Sequence, residues 1–201
     1  MNFIKTSLYS GISTAISLLV RLISNKIVAV YLGTNGIFLL GQLKDFLRLS
    51  NVLSGFGIEN GIIKYTSEFQ ESDEELKKIL STSFRIHLIF SLIFSILILI
   101  FSNIIAEYLS LDFESKFYFL VLSISVISFS IHTLLMSIIN GIKRIKLYVT
   151  INVISVVISA IVMITLVLKY AVIGALYALI INQIITLAVT CILFYLYKPF
   201  K

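Results

Sequence analysis

Apolar positions dominate four long stretches that carry no charged side chain, at roughly 88–106, 117–142, 147–168 and 170–197. Each approaches or exceeds the about 20 residues a helix needs to cross the hydrocarbon core of a bilayer. Two earlier stretches, about 7–32 and 36–64, are as long but hold charges in their interiors. In lipid a segment must satisfy its own backbone N–H and C=O groups, which a helix does and an open strand does not. The apolar/polar alternation of a membrane-barrel strand is absent. The pattern therefore predicts an all-α integral membrane protein: one bundle over 1–201 with six transmembrane helices at about 7–32, 36–64, 84–107, 117–142, 147–168 and 170–197. The one strongly polar run, Ser67 to Leu80 (SEFQESDEELKKIL), spaces Asp73 four residues from Lys77 and Glu74 four from Lys78. That spacing predicts a short amphipathic helix at the membrane surface. Asp112 to Lys116 marks a short loop.

Composition supports the same picture. Hydrophobic residues make up 59% and charged residues 13% of the 201 positions, where a soluble domain carries roughly a quarter charged. The polar surface is too small to coat a water-soluble globule, so apolar surface must face lipid. The apolar stretch after Met1 to Thr6 runs past Val30 with no small-residue cleavage pattern, too long for a removed leader, and the first helix is expected to be retained. Cys191 has no second cysteine to pair with; packing or lipid contact is its expected role.

The net charge of +6 could attract nucleic acid, but the placement of the charges points to a membrane topology. Lys5; Lys64, Lys77, Lys78 and Arg85; Lys143, Arg144 and Lys146; and Lys198 and Lys201 fall on one side, ten in all. The other side has only Lys116 and Lys169, beside Glu107, Asp112 and Glu114. The positive-inside rule then places both termini in the cytoplasm.

Six charges remain inside the membrane, all in the first two helices: Arg21, Lys26, Lys44, Asp45, Arg48 and Glu59. Each costs about 2.5 to 3.5 kcal/mol at the bilayer centre on the insertion scale. On the first helix Ser7, Ser10, Thr14, Ser17, Arg21 and Ser24 follow steps of three and four, which put them on one stripe. On the second, Gly41, Lys44, Arg48, Asn51, Gly55 and Glu59 do the same. At about 1.5 Å rise per residue, Arg21 lies about 16 Å below Leu32 and Arg48 about 18 Å below Gly36. Antiparallel neighbours would hold the two guanidiniums at similar depth. Lys26 sits about 140° around the helix from Arg21 and faces another helix or snorkels. Asp45, three residues before Arg48, is placed to partner it. The excess stays positive, and a water-filled cationic cavity suits an anionic headgroup, above all phosphate, whose oxygens match the guanidinium fork. The alternative is that these charges pair to lock the helices together. Their concentration on two adjacent striped helices favours the cavity.

Other polar positions are less specific. Ser123, Ser125, Ser128, Ser130, Thr133 and Ser137 on the fourth helix, and Asn182, Thr186 and Thr190 on the sixth, fit helix packing. His132 is a possible proton relay; His87, near a helix end, reads as an interfacial residue. No metal-ligand cluster, nucleophile elbow or phosphate loop is present, so neither enzyme activity nor a cofactor or metal is expected. Gly55, Gly57 and Gly61 in GFGIENG fit close packing or a bend.

The segments KTSLYSGIST (Lys5 to Thr14), NKIVAVYLGTNGI (Asn25 to Ile37) and GQLKDFLRLSNVLSGFGIENGIIKY (Gly41 to Tyr65) resemble the start of the Wzx-type O-antigen and enterobacterial common antigen flippases. These belong to the exporter superfamily of multidrug, oligosaccharidyl-lipid and polysaccharide transporters. The resemblance implies one bundle of a two-bundle, V-shaped exporter, with the second bundle absent. It also implies translocation of undecaprenyl-pyrophosphate-linked oligosaccharide across the bacterial inner membrane by ion-driven alternating access through a cationic cavity. Arg21, Lys26, Lys44, Asp45, Arg48 and Glu59 would line that cavity. The partners implied are the lipid-linked oligosaccharide, membrane lipid, and a second half-transporter or polysaccharide polymerase, with no nucleic acid. Two further readings stay open: a small-molecule antiporter of the same superfamily, against which the cation excess argues, and a non-transporting scaffold of a polysaccharide assembly complex.

Overall fold

The computed structural model describes residues 3–109 and 116–197, with side chains from Tyr9 and Gly11 onward. All elements among them are helices: α1 (Phe3–Gly55), α2 (Glu59–Glu68), α3 (Asp73–Ile100), α4 (Ser102–Tyr108), α5 (Lys116–Gly141) and α6 (Ile145–Tyr197). Four are long and apolar enough to cross a membrane: α1 from Gly11, α3, α5 and α6. The chain is an all-α membrane protein.

α1 and α6 each hold 53 residues, about 80 Å of helix against a hydrocarbon core of about 30 Å. Neither is continuous. Gly33 has φ 63 and ψ −169, and Ala171 has φ 49 and ψ −128. The second break is a fold-back: a Cβ built on Gly174 would land on the carbonyl oxygen of Leu166, a group about 12 Å away along an unbroken helix. At the first break a Cβ on Gly36 would lie 2.6 Å from Leu32 Cβ and 3.2 Å from Val172 Cγ2. The two breaks therefore sit side by side at one end of the bundle. Each leaves a pair of arms, 3–32 with 34–55 and 145–170 with 172–197.

Glycine adopts the conformation at residue 33 without a Cβ penalty. Alanine at 171 does not, and holds a positive φ at a cost of about 1–3 kcal/mol. Ala171→Gly is therefore expected to raise stability by about 1 kcal/mol, read as a higher midpoint in thermal unfolding of the detergent-purified protein. An unchanged or lower midpoint would show that the turn is not strained.

α5 is the central helix and packs against α1, α2, α3 and α6. Its buried Ser123, Ser125 and Ser128 return their hydroxyls to carbonyls three or four residues earlier, at 2.8, 2.7 and 2.9 Å. They become small, satisfied contacts across which neighbouring helices approach. Tyr118, fully buried, meets Phe119 and Tyr177 edge-on at 5.6 and 5.3 Å. The outside is apolar: Leu22 and Val30 on α1 are 65% and 75% exposed, which water would penalise and acyl chains do not.

Three expectations need correction. The stretch 36–64 is not one helix: α1 stops at Gly55, Phe56 and Gly57 take φ values of 53 and 66, and α2 starts at Glu59. Left-handed backbone at two successive residues ends the helical hydrogen bonding, a feature to which hydropathy is blind. The polar run 67–80 is not a helix of its own either. It divides into the end of α2, a turn, and the first turns of α3, where Lys78 meets Glu74 at 3.0 Å and Glu75 at 3.1 Å. The stretch expected as 84–107 is likewise the later part of α3 followed by α4. Asp112, Glu114, Lys198 and Lys201, and the side chains of Lys5, Ser7 and Ser10, lie outside the described residues. Cys191 is exposed on the second arm of α6.

Candidate functional site

Steps of three and four along the first arm of α1 bring Arg21, Ser24, Asn25 and Val28 to one face. The fold-back at Gly33 returns Leu40 and Lys44 against that face. α5 and both arms of α6 close the other side, leaving a cavity of about 480 Å³. Its walls differ in chemistry. Arg21 and Lys44 stand on the α1 side; Asn152, Ser155, Ser159, Asn182 and Thr186 stand on the α6 side, and among the described residues no carboxylate lines it. A second cavity, of about 470 Å³, shares Lys44 and Leu179 with the first and adds Arg48, Asn51, Glu59, Thr133 and Gln183. Lys44 thus borders both.

Among the described residues neither Arg21 nor Lys44 enters an ion pair. Arg48 reaches Asp45 at 3.6 Å, but the two side chains are 78% and 73% exposed. A pair so open is worth at most about 1 kcal/mol and does not lock helices together. Four of the six residues picked out by spacing therefore line a cavity: Arg21 the first, Lys44 both, and Arg48 and Glu59 the second. Asp45 lines neither and contacts only Arg48 beside it; Lys26 is exposed and lines neither. Across the hairpin Arg21 shares its cavity with Lys44, not with Arg48.

Several buried polar atoms in these walls lack a hydrogen-bond partner in the protein: Ser155 Oγ, Asn182 Oδ1 and Asn51 Oδ1. A buried polar group left unpaired costs about 1–3 kcal/mol, so each of these atoms is an unmet hydrogen bond among the lining residues. His132, also on the first cavity, is tied to structure. Thr190 donates to the Thr186 carbonyl at 2.7 Å, so His132 Nδ1 donates to Thr190 Oγ1 at 2.8 Å.

The α6 wall was readable only in part. Asn182 and Thr186 stand out as a stripe, whereas Asn152, Ser155 and Ser159, spaced by three and four, share a face but are too few among many apolar neighbours to mark it in the sequence. His87 is fully buried within the bundle, with Nδ1 2.9 Å from Ser130 Oγ, and it packs where α1 ends: a Cβ on Gly55 would sit 3.5 Å from its Cε1 and 3.3 Å from Glu59 Oε1. The break at Phe56 and Gly57 creates that environment. Among the described residues no group of three His, Cys, Asp or Glu side chains is placed to hold a metal ion.

Residues 39–201, most of the chain, match the family described as "Polysaccharide biosynthesis protein". The chain belongs to this family. Within the polysaccharide biosynthesis family, it is similar to the Lipid III flippase of Escherichia coli (strain K12) and that of Shigella flexneri. Each is 30% identical over 83 residues, 41% of this chain. The match covers 20% of either relative's length. No solved structure matches. In this polysaccharide biosynthesis protein the family match begins just before Leu40, so it takes in Lys44, Arg48, Glu59 and all of α6, while Arg21 and Lys26 precede it.

Proposed function

We propose that this chain is a six-span bundle of a flippase for lipid-linked oligosaccharides, with Arg21, Lys44 and Arg48 attracting the phosphate-bearing headgroup during its passage. The observation that carries this reading is the first cavity, with two unpaired cations and no carboxylate among its described lining residues. Cations kept in a membrane against their insertion cost mark a polar pathway, and here the pathway favours anions. Membership of the family and the names of its relatives agree with that cargo. The arms meeting at Gly33 and Ala171 are each of membrane-crossing length, which supports six spans from four helices.

The lipid tail would stay in the bilayer while the headgroup crosses beside Lys44, as a second bundle rocks against this one. The undecaprenyl pyrophosphate carrier, an O-antigen-type repeat unit, the bacterial inner membrane with both termini cytoplasmic, and a neighbouring polymerase belong to the same proposal. Lys26 would assist from the bundle surface, Asp45 would tune Arg48, and Glu59 would balance the second cavity.

Deletion of the gene tests the function. Lipid-linked saccharide should accumulate facing the cytoplasm, where lectin added to right-side-out spheroplasts does not reach it, and surface polysaccharide should disappear. Unchanged surface polysaccharide with no accumulation would leave a scaffold role as the better reading.

A further inference from the structure

The first cavity has one wall that the phosphate proposal leaves without a task. Opposite Arg21 and Lys44, both arms of α6 present uncharged hydrogen-bonding groups: Asn152, Ser155 and Ser159 from 145–170, and Asn182 from 172–197. Ser155 is 5% exposed and its Oγ has no partner; Asn182 is half-buried, and its Oδ1 is buried without a partner. The nearby hydroxyls of Thr186 and Thr190 are already committed to backbone carbonyls at 2.9 and 2.7 Å. Ser155 and Asn182 therefore hold the buried polar atoms of this wall that nothing in the protein meets.

We propose that this wall is a saccharide subsite, in which Ser155 and Asn182 read hydroxyl groups of an uncharged sugar while the cations of α1 hold the phosphate. The inference rests on the cationic-cavity reading for the phosphate but makes its own claim about the opposite wall. A sugar hydroxyl both donates and accepts. It can donate to Asn182 Oδ1 and exchange either role with Ser155 Oγ, as an anion, which only accepts, cannot. Neutral amide and hydroxyl groups fit a neutral polyol, where more cations would overbind charge without distinguishing sugars. A wall of this kind also sets specificity, because an analogue lacking the matching hydroxyl leaves buried polar groups unpaired. The cavity, at about 480 Å³, falls in the range of small-ligand sites. It has room for a short oligosaccharide and not a long repeat.

The test uses the full chain in phosphatidylcholine nanodiscs and isothermal titration calorimetry with two kinds of probe. Maltotriose and chitotriose report on the α6 wall; inorganic pyrophosphate reports on the α1 wall. Ser155→Ala and Asn182→Leu should each weaken binding of the better trisaccharide about tenfold, the effect of one lost hydrogen bond, and leave pyrophosphate affinity as in the wild type. Lys44→Ala should do the reverse. The subsite is overturned if neither trisaccharide binds the wild type, or if folded variants bind it as the wild type does; the unpartnered oxygens then hold water only. Should Asn182→Leu not give a monodisperse protein, the nearly isosteric Ser155→Ala decides alone. Pyrophosphate binding that ignores Lys44→Ala would instead refute the cationic wall, a separate outcome.

Discussion

Alanine at both Arg21 and Lys44 is expected to abolish the surface polysaccharide that depends on this protein, with no loss of the protein from the membrane. The two halves of that result have opposite physical origins. A hydrogen bond to a charged group contributes about 1.5–3 kcal/mol, so removing two cations from an anionic headgroup weakens its hold by about a hundredfold or more. Folding is affected the other way. Neither residue has a carboxylate partner among the described residues, so no ion pair is broken. Each cation inserted into a membrane costs more than the alanine that replaces it. Loss of transport at equal or higher protein level is therefore the signature of a cavity role. Loss of both together would indicate cations that hold the helices in place. Arg21→Lys and Lys44→Arg keep the charge and should retain much of the activity, with Arg21→Lys the weaker because lysine lacks the two-pronged geometry of guanidinium. Normal polysaccharide in the double alanine variant would remove Arg21 and Lys44 from the pathway.

Spacing along a helix revealed which of these charges share a face, because that depends only on 100° per residue. Arg21 with Ser24, and Lys44 with Arg48, follow from counting, and so does the separation of Lys26, which lines neither cavity. What faces what across a hairpin depends on where the chain turns. Counting depth from Leu32 and Gly36 puts Arg21 and Arg48 at similar depth but does not say which cavity each lines; past the turn at Gly33, Arg21 shares its cavity with Lys44 and Arg48 lines the other. The break at Phe56 and Gly57 could not be read from hydropathy, since GFGI is as apolar as the helix before it and the information lies in φ. With that break unread, the burial of His87 against Gly55 was unreadable too. Ala171 is the extreme case: nothing about an alanine between two apolar segments signals a positive φ. Only Lys169, the charge between the uncharged stretches 147–168 and 170–197, marks a boundary there.

Valine at Gly174 should prevent the bundle from forming. A Cβ at this position falls on the carbonyl oxygen of Leu166 and lies 2.6 Å from Leu166 C and 2.9 Å from Tyr170 Cβ. The obstacle is backbone of the preceding arm, so no rotamer change relieves it. Ordinary overpacking costs about 1–3 kcal/mol because neighbouring side chains shift; here the arms of α6 must separate. They would carry with them the buried cluster in which Met163 and Val167 meet Ala175 and Leu176. The comparison is Ile173→Val, one residue away, where the native side chain is 53% exposed and a lost methylene changes little. In detergent extracts, fluorescence-detected size-exclusion should give a symmetric peak at wild-type yield for Ile173→Val and little or only aggregated protein for Gly174→Val. A wild-type peak for Gly174→Val would mean that α6 does not fold back beside Ala171. Asn152, Ser155 and Ser159 would then lie far from Asn182, and the cavity opposite Arg21 and Lys44 would lose the wall that encloses it.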